Sequence, residues 1–187
     1  MEPSERVGRE HALRRAVLAG DESAWRAWYD ECFAGLFRYV LWRCGGLRHD
    51  ADEVVQDTWL TALRRVRHFD PAAGSFAGWL RGIAANLLRN RFRRERLAAS
   101  ACVQFNHVGA EPADAELLRR ERAERIARAL ADLSERHEAV LRAKYLDGRA
   151  VADIAAEWRE SPKAIESLLT RAREAFRSAY GDPEGTP

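Results

Sequence analysis

The sequence predicts an all-α protein made of two small helical domains joined by a flexible linker. Three observations carry this expectation. Apolar residues recur at spacings of three and four along most of the chain, without alternating runs of strand type. Capping residues (Asp21, Ser75, Ser134, Ser161) stand immediately before these periodic segments. The period is lost over residues 98–114, AASACVQFNHVGAEPAD, where Gly109 and Pro112 interrupt the pattern. The expected layout is therefore a first domain over 1–97, a linker over 98–114, a second domain over 115–180 and a turn-like tail, GDPEGTP, over 181–187.

Each element has a local reason. Leu13 and Val17 mark a short first helix that ends near Gly20. Asp21 can cap a second helix whose apolar stripe is Trp25, Trp28, Tyr29, Cys32, Phe33, Leu36, Val40 and Cys44, and Gly45-Gly46 stops it. Asp50 and Glu53 fit a capping box for a third helix, which carries Val55, Trp59, Leu63 and Val66 inward. Asp70-Pro71 and Gly74 mark a loop, and Ser75 can cap a fourth helix, GWLRGIAANLLRNRFRRERL over 78–97. Beyond the linker, Leu117, Leu118, Ala123, Ile126 and Leu130 resume the helical period. Ser134 caps a further helix that ends at Asp147-Gly148. Val151, Ile154, Ala155 and Trp158 then form a short helix. After the break at Arg159–Ser161, with Pro162 at the first helical position, Ile165, Leu168, Leu169, Ala172 and Phe176 line a longer one. Short helix, turn and long helix form a helix-turn-helix pattern.

Composition limits the function classes. The chain has 187 residues, enough for two small domains. Its apolar runs are far too short to span a bilayer, and MEPSERVGREHALRR lacks the apolar region of a secretory signal. A cytoplasmic protein without membrane insertion is expected. The three cysteines, Cys32, Cys44 and Cys102, follow neither a disulfide framework nor a zinc spacing. Cys32 and Cys44 belong to a core stripe. Cys102 and His107 share the linker, and no metal or other cofactor is expected.

The net charge of +2 conceals a segregation. Residues 81–97 hold six Arg and one Glu, whereas 21–62 hold eight acids and four Arg. Surfaces of opposite sign suit different partners. The burst Arg89, Arg91, Arg93, Arg94 and Arg96 is offset only by Glu95, and it fits contacts to nucleic-acid phosphates. The longer helix of the helix-turn-helix exposes Lys163, Glu166, Ser167, Thr170, Arg171 and Arg173, small polar and cationic groups of the kind that enter a DNA groove. A paired-carboxylate enzyme site is the other reading of Asp52, Glu53 and Asp57. No phosphate-cradling Gly loop or nucleophile–base pair accompanies them, so no enzyme is expected.

DADEVVQDTWLTALRRVRHFDP followed by GSFAGWLRGIAANLLRNRFRR resembles conserved region two of bacterial sigma factors, most closely the compact extracytoplasmic-function (ECF) group. ALADLSERHEAVLRAKYLDGRAVADIAAEW through SPKAIESLLTRAREAFR resembles region four of the same group. The resemblance covers residues 10–97 and 115–180. It implies a sigma factor that binds RNA polymerase core and directs promoter-specific initiation through the −10 and −35 elements. It further implies that Asp52, Glu53, Gln56 and Asp57 meet core polymerase and that the Asp70–Ser75 loop with Asn86, Arg89, Asn90, Arg93 and Arg94 meets −10 DNA. Ser161, Lys163, Glu166, Ser167, Thr170, Arg171 and Arg173 would meet the −35 element. The family usually also has an anti-sigma factor. The chain departs from the family at Asn90, where Asp is frequent, at Glu166 and Leu168, where many members are basic, and at Arg159, where Gly is frequent. A conventional helix-turn-helix regulator is the alternative, but it would not need the acidic and arginine-rich first module.

Overall fold

The computed structural model describes residues 3–102 and 115–181, and every regular element among them is helical. The chain divides into two compact units, Met1–Leu41 with Arg48–Val103 and Trp42–Leu47 with Gln104–Pro187. The remainder of the predicted linker, 103–114 with His107, and the tail beyond Gly181 lie outside the described residues, as does the Cys102 side chain.

The helices of the first stretch are α1 (Pro3–Leu18), α2 (Glu22–Arg43), α3 (Arg48–Arg65), a 3₁₀ turn at Val66–His68, and α4 (Phe76–Cys102). Asp21 starts α2 as expected: its Oδ1 accepts from the Ser23 N–H at 2.8 Å and from the Ser23 hydroxyl at 2.7 Å. The hydroxyl bond first, and the backbone bond after it, hold its carboxyl below the usual carboxylate range. Ser75 Oγ accepts from Gly78 N at 3.1 Å and so caps α4. α4 runs to Cys102, through AASAC, which the sequence pattern assigns to the linker. Alanine favours helix without supplying an apolar period, so periodicity alone ends the helix too early.

Aromatic side chains fill this unit. Trp28 is buried and stacks on Phe76 with ring centroids 3.9 Å apart. Phe69 meets Trp28 edge-on at 5.9 Å and Phe76 at 5.3 Å, so both residues flanking the 70–75 loop are anchored in the core. Cys32 and Cys44 are buried.

Two expectations for α3 fail. The helix begins at Arg48, so Asp50 and Glu53 lie inside it and form no capping box. Both instead receive Arg91 of α4, at 2.7 Å and 3.5 Å. Leu63 does not point inward; it is 55% exposed, and the buried positions are Ala51, Val54, Val55, Thr58, Ala62 and, in the following turn, Val66.

In the second stretch, α5 (Ala115–Ala131), α6 (Glu135–Leu141) with a π turn at Arg142–Leu146, and α7 (Val151–Trp158) all pack on α8 (Pro162–Tyr180). α6, the π turn, α7 and α8 share a core of Val140, Leu141, Ala143, Ile154, Ala155, Ile165, Leu168, Leu169 and Ala172. Ser134 caps α6 through His137 N, and Ser161 caps α8 through Ala164 N with Pro162 in the first turn. Of the expected set, Ala123 and Leu130 are buried and Leu117 and Leu118 are exposed; Ala127 and Ala129 complete the buried face of α5. The α7–α8 turn passes through Arg159 in the left-handed region, at φ 56° and ψ 42°.

Candidate nucleic-acid interface

One face of α4 carries the candidate DNA residues of the first unit. Asn86, Arg89, Asn90, Arg93 and Arg94 are all exposed, and at 100° per residue they fall within less than half of the helix circumference. Arg89 donates to Asn86 Oδ1, and Arg94 Nε reaches the Asn90 carbonyl at 3.3 Å. Arg91 belongs elsewhere: it bridges to Asp50 and Glu53 on α3. The arginine burst therefore divides into Arg91, which holds two helices together, and Arg89, Arg93 and Arg94, which face outward.

Continuing the same face toward the start of α4, Trp79, Gly82, Ile83 and Asn86 form one wall of an open cleft of about 570 Å³, with Arg65 and His68 from the end of α3 and the 3₁₀ turn on the other side. A partly buried indole, two basic side chains and an amide offer a stacking surface together with groups for phosphate and base edges. In the adjoining loop, Asp70 Oδ1 accepts from Ala72 N at 2.9 Å and the Asp70 carbonyl from Ala73 N at 3.1 Å, which sets its turn.

The candidate partner-binding acids of α3 do not share one face. Asp52 and Gln56 line an apolar groove with Tyr29, Phe33, Val55, Trp59, Leu60 and Leu63. The sequence pattern points Trp59 and Leu63 inward, away from this polar pair; the helical angle puts the pair beside them. Tyr29, Leu60 and Leu63 are 44%, 43% and 55% exposed, so the groove presents apolar surface to solvent. Glu53 turns instead toward Arg91 and His49, and Asp57 is exposed.

On α8, Lys163, Glu166, Ser167, Thr170 and Arg171 are exposed together while Ile165, Leu168, Leu169 and Ala172 are buried beneath them. Thr170 Oγ1 donates to the Glu166 carbonyl at 3.1 Å. Ser161 is occupied as the N-cap. Arg173 stands at the border of this face, its Nε donating to the Tyr145 hydroxyl at 2.8 Å and its guanidinium over that ring.

These two units match two family models, Sigma-70 region 2 over residues 30–98 and Sigma-70, region 4 over residues 123–176. The ECF RNA polymerase sigma factor SigK of Mycolicibacterium vanbaalenii is 30% identical over 178 residues, covering 91% of this chain and 88% of that protein. The chain belongs to the ECF group of sigma-70 factors. The ECF sigma factor BldN of Streptomyces coelicolor is 28% identical over 86% of the chain, which spans 61% of that relative's length. A solved structure of CnrH in complex with the cytosolic domain of CnrY shares the fold, at 24% identity, a TM-score of 0.50 and coverage of 90% of this chain and 95% of that one.

For this sigma factor, sequence reasoning missed three groups of residues. Arg65, His68 and Trp79 come together only when the end of α3 meets α4, and no local spacing signals that. Tyr29 and Leu63 read as core because they are apolar, and Leu60 is not singled out; the i, i+4 relation of Asp52 to Gln56 and the nearby angle of Leu63 could have exposed them as a surface groove. Glu174, exposed on α8, places a carboxylate near its cationic residues. Among the described residues no group of His, Cys, Asp and Glu is arranged for a metal, and no helix is long and apolar enough to cross a membrane.

Proposed function

We propose that this ECF sigma factor docks on core RNA polymerase through the α3 groove, captures opened −10 DNA on α4, and reads the −35 element with α8. The observation that carries the reading is the single face of α4, where an aromatic cleft is followed by a row of exposed Asn and Arg side chains. An unstacked base can enter the cleft against Trp79 while Arg89, Arg93 and Arg94 hold the strand through its phosphates. Asp52 and Gln56 add polar contacts at the edge of an apolar groove, the composition of a protein-binding surface with an apolar centre and a polar rim. On α8, Ser167 and Arg171 are the candidates for base edges and Lys163 for phosphate.

In this reading the protein has no catalysis of its own. It works in the cytoplasm as a dissociable subunit, and an anti-sigma factor, usual in the family, is a further partner. The test is in vitro transcription with core enzyme on a promoter library randomised separately in the two elements, with start sites mapped. Promoter-specific starts that depend on this chain are expected, with Ser167 and Arg171 variants shifting −35 preference by about 1–3 kcal/mol per lost bidentate contact. Operator binding without any association with core would instead assign the chain to the conventional helix-turn-helix regulators.

A further inference from the structure

α1 is a polar helix whose role the sites above leave open. Only its Val17 is buried outright among the described residues. Arg9 pairs with Glu31 of α2 at 2.7 Å, and two further side chains make long-range bonds that land at the two ends of one loop. Arg14 Nη2 donates to the Arg67 carbonyl in the 3₁₀ turn at 2.7 Å. Glu10 Oε1 accepts from Phe76 N, the first residue of α4, at 3.1 Å. Glu10 and Arg14 are four residues apart, so they project from the same face of α1. Arg6, one turn earlier, stands 3.5 Å from Glu10 Oε2 and steadies the carboxylate.

The chemistry at the loop exit is particular. Phe76 N is among the first N–H groups of a helix, which have no partner within it. Ser75 satisfies Gly78 N from the adjacent chain, and Glu10 satisfies Phe76 N from 66 residues away. A carboxylate there is also favoured by the helix dipole. At the opposite end the guanidinium holds a carbonyl of the turn that contributes His68 to the cleft.

We infer that Glu10 and Arg14 are positioning residues for −10 recognition: α1 fixes both ends of the 70–75 loop and thereby sets its shape beside the cleft. The inference rests on the proposed reading of that loop and cleft as the −10 contact. Neither side chain needs to touch DNA.

The experiment uses the full-length chain with core polymerase and promoters carrying 2-aminopurine in the −10 element, with each −10 base varied in turn. Glu10→Ala should reduce opening of the preferred promoter about tenfold, the scale of one partly buried hydrogen bond to a charged group. It should also flatten discrimination between preferred and substituted −10 bases, while leaving −35 preference intact. Glu10→Gln keeps the oxygen that accepts from Phe76 N and should restore discrimination. A purely structural role would lower activity with the folded fraction and leave the discrimination ratio unchanged, and that result overturns the inference. Should Glu10→Ala fail to fold, Arg14→Met asks the same question at the other end of the loop, with Arg14→Lys as the conservative rescue. The exposed loop variant Ala73→Glu separates the two levels. If it leaves −10 behaviour unchanged, the reading of the loop fails; if it disturbs discrimination and neither α1 variant does, only the positioning role fails.

Discussion

Replacing Arg91 and Arg93 by Ala, one at a time, should give opposite phenotypes although the two lie in one basic run. Arg91 donates to Asp50 Oδ1 at 2.7 Å and lies 3.5 Å from Glu53, with 32% of its own side chain and 20% of that of Asp50 exposed. Exposed ion pairs contribute about 0.2–1 kcal/mol, and hydrogen bonds to charged groups about 1.5–3 kcal/mol. This half-covered bridge falls between them, so Arg91→Ala should cost about 1–1.5 kcal/mol. In a unit of this size each kcal/mol lowers the melting temperature by about 4–8 °C. Arg93 is exposed, and its loss should change stability by less than about 0.5 kcal/mol. Its effect should instead appear in DNA binding, where each lost phosphate contact reduces the slope of log K against log salt by about 0.7–0.9. The assays are calorimetric melting of the full chain and a salt titration of promoter binding by the reconstituted holoenzyme. A double-mutant cycle of Asp50→Ala with Arg91→Ala should show coupling of about 1 kcal/mol. If Arg91→Ala melts with the unaltered protein and lowers the salt slope as Arg93→Ala does, the division of the arginine burst is wrong.

Asp52→Arg combined with Gln56→Ala should weaken binding to core polymerase at least about tenfold with an unchanged circular dichroism spectrum, and Leu63→Asp should do the same by placing a charge in the apolar groove; unaltered affinity in a core titration would mean the groove faces only solvent. Arg159→Gly should stabilise the second unit by about 0.5–1 kcal/mol in denaturant titration, because a left-handed φ costs a side chain about 1–2 kcal/mol and glycine returns part of that as unfolded-chain entropy. Burial pushes the Cys32 thiol from 9.0 to about 11, which reduces its thiolate about a hundredfold near pH 8. Iodoacetamide should therefore label it at least that much more slowly in the folded than in the urea-unfolded chain, as read by peptide mass spectrometry.

What the sequence made legible was mostly local. Asp21, Ser75, Ser134 and Ser161 cap the helices they precede, because a cap needs only a side-chain oxygen two or three residues from an open N–H. Ile165, Leu168, Leu169 and Ala172 are buried as their spacing required. The errors came from tertiary partners. Asp50 and Glu53 looked like a capping box until Arg91, about forty residues on, supplied a different use for both. Leu63 looked like core because its own helix cannot say how far the neighbouring helix extends. The same limit applies to the candidate sites. The outward Asn and Arg residues of α4 follow from one helix and were found. The cleft of Arg65, His68 and Trp79 needs two segments to meet, and so does the hold of Glu10 on Phe76 N.

The placement of Trp79 also turns the first unit into its own optical gauge. Its indole is partly covered, lining the cleft on one side and lying 5.4 Å and 5.6 Å from the rings of Phe69 and Phe76 on the other. Trp28, by contrast, is sealed at 1% exposure and is shielded from whatever enters from solvent. A nucleobase stacked in the cleft would quench the emission of Trp79, seen against the background of Trp28 and the other four tryptophans. Strand capture could then be followed in time on unlabelled protein, with Trp79→Phe as the dark control.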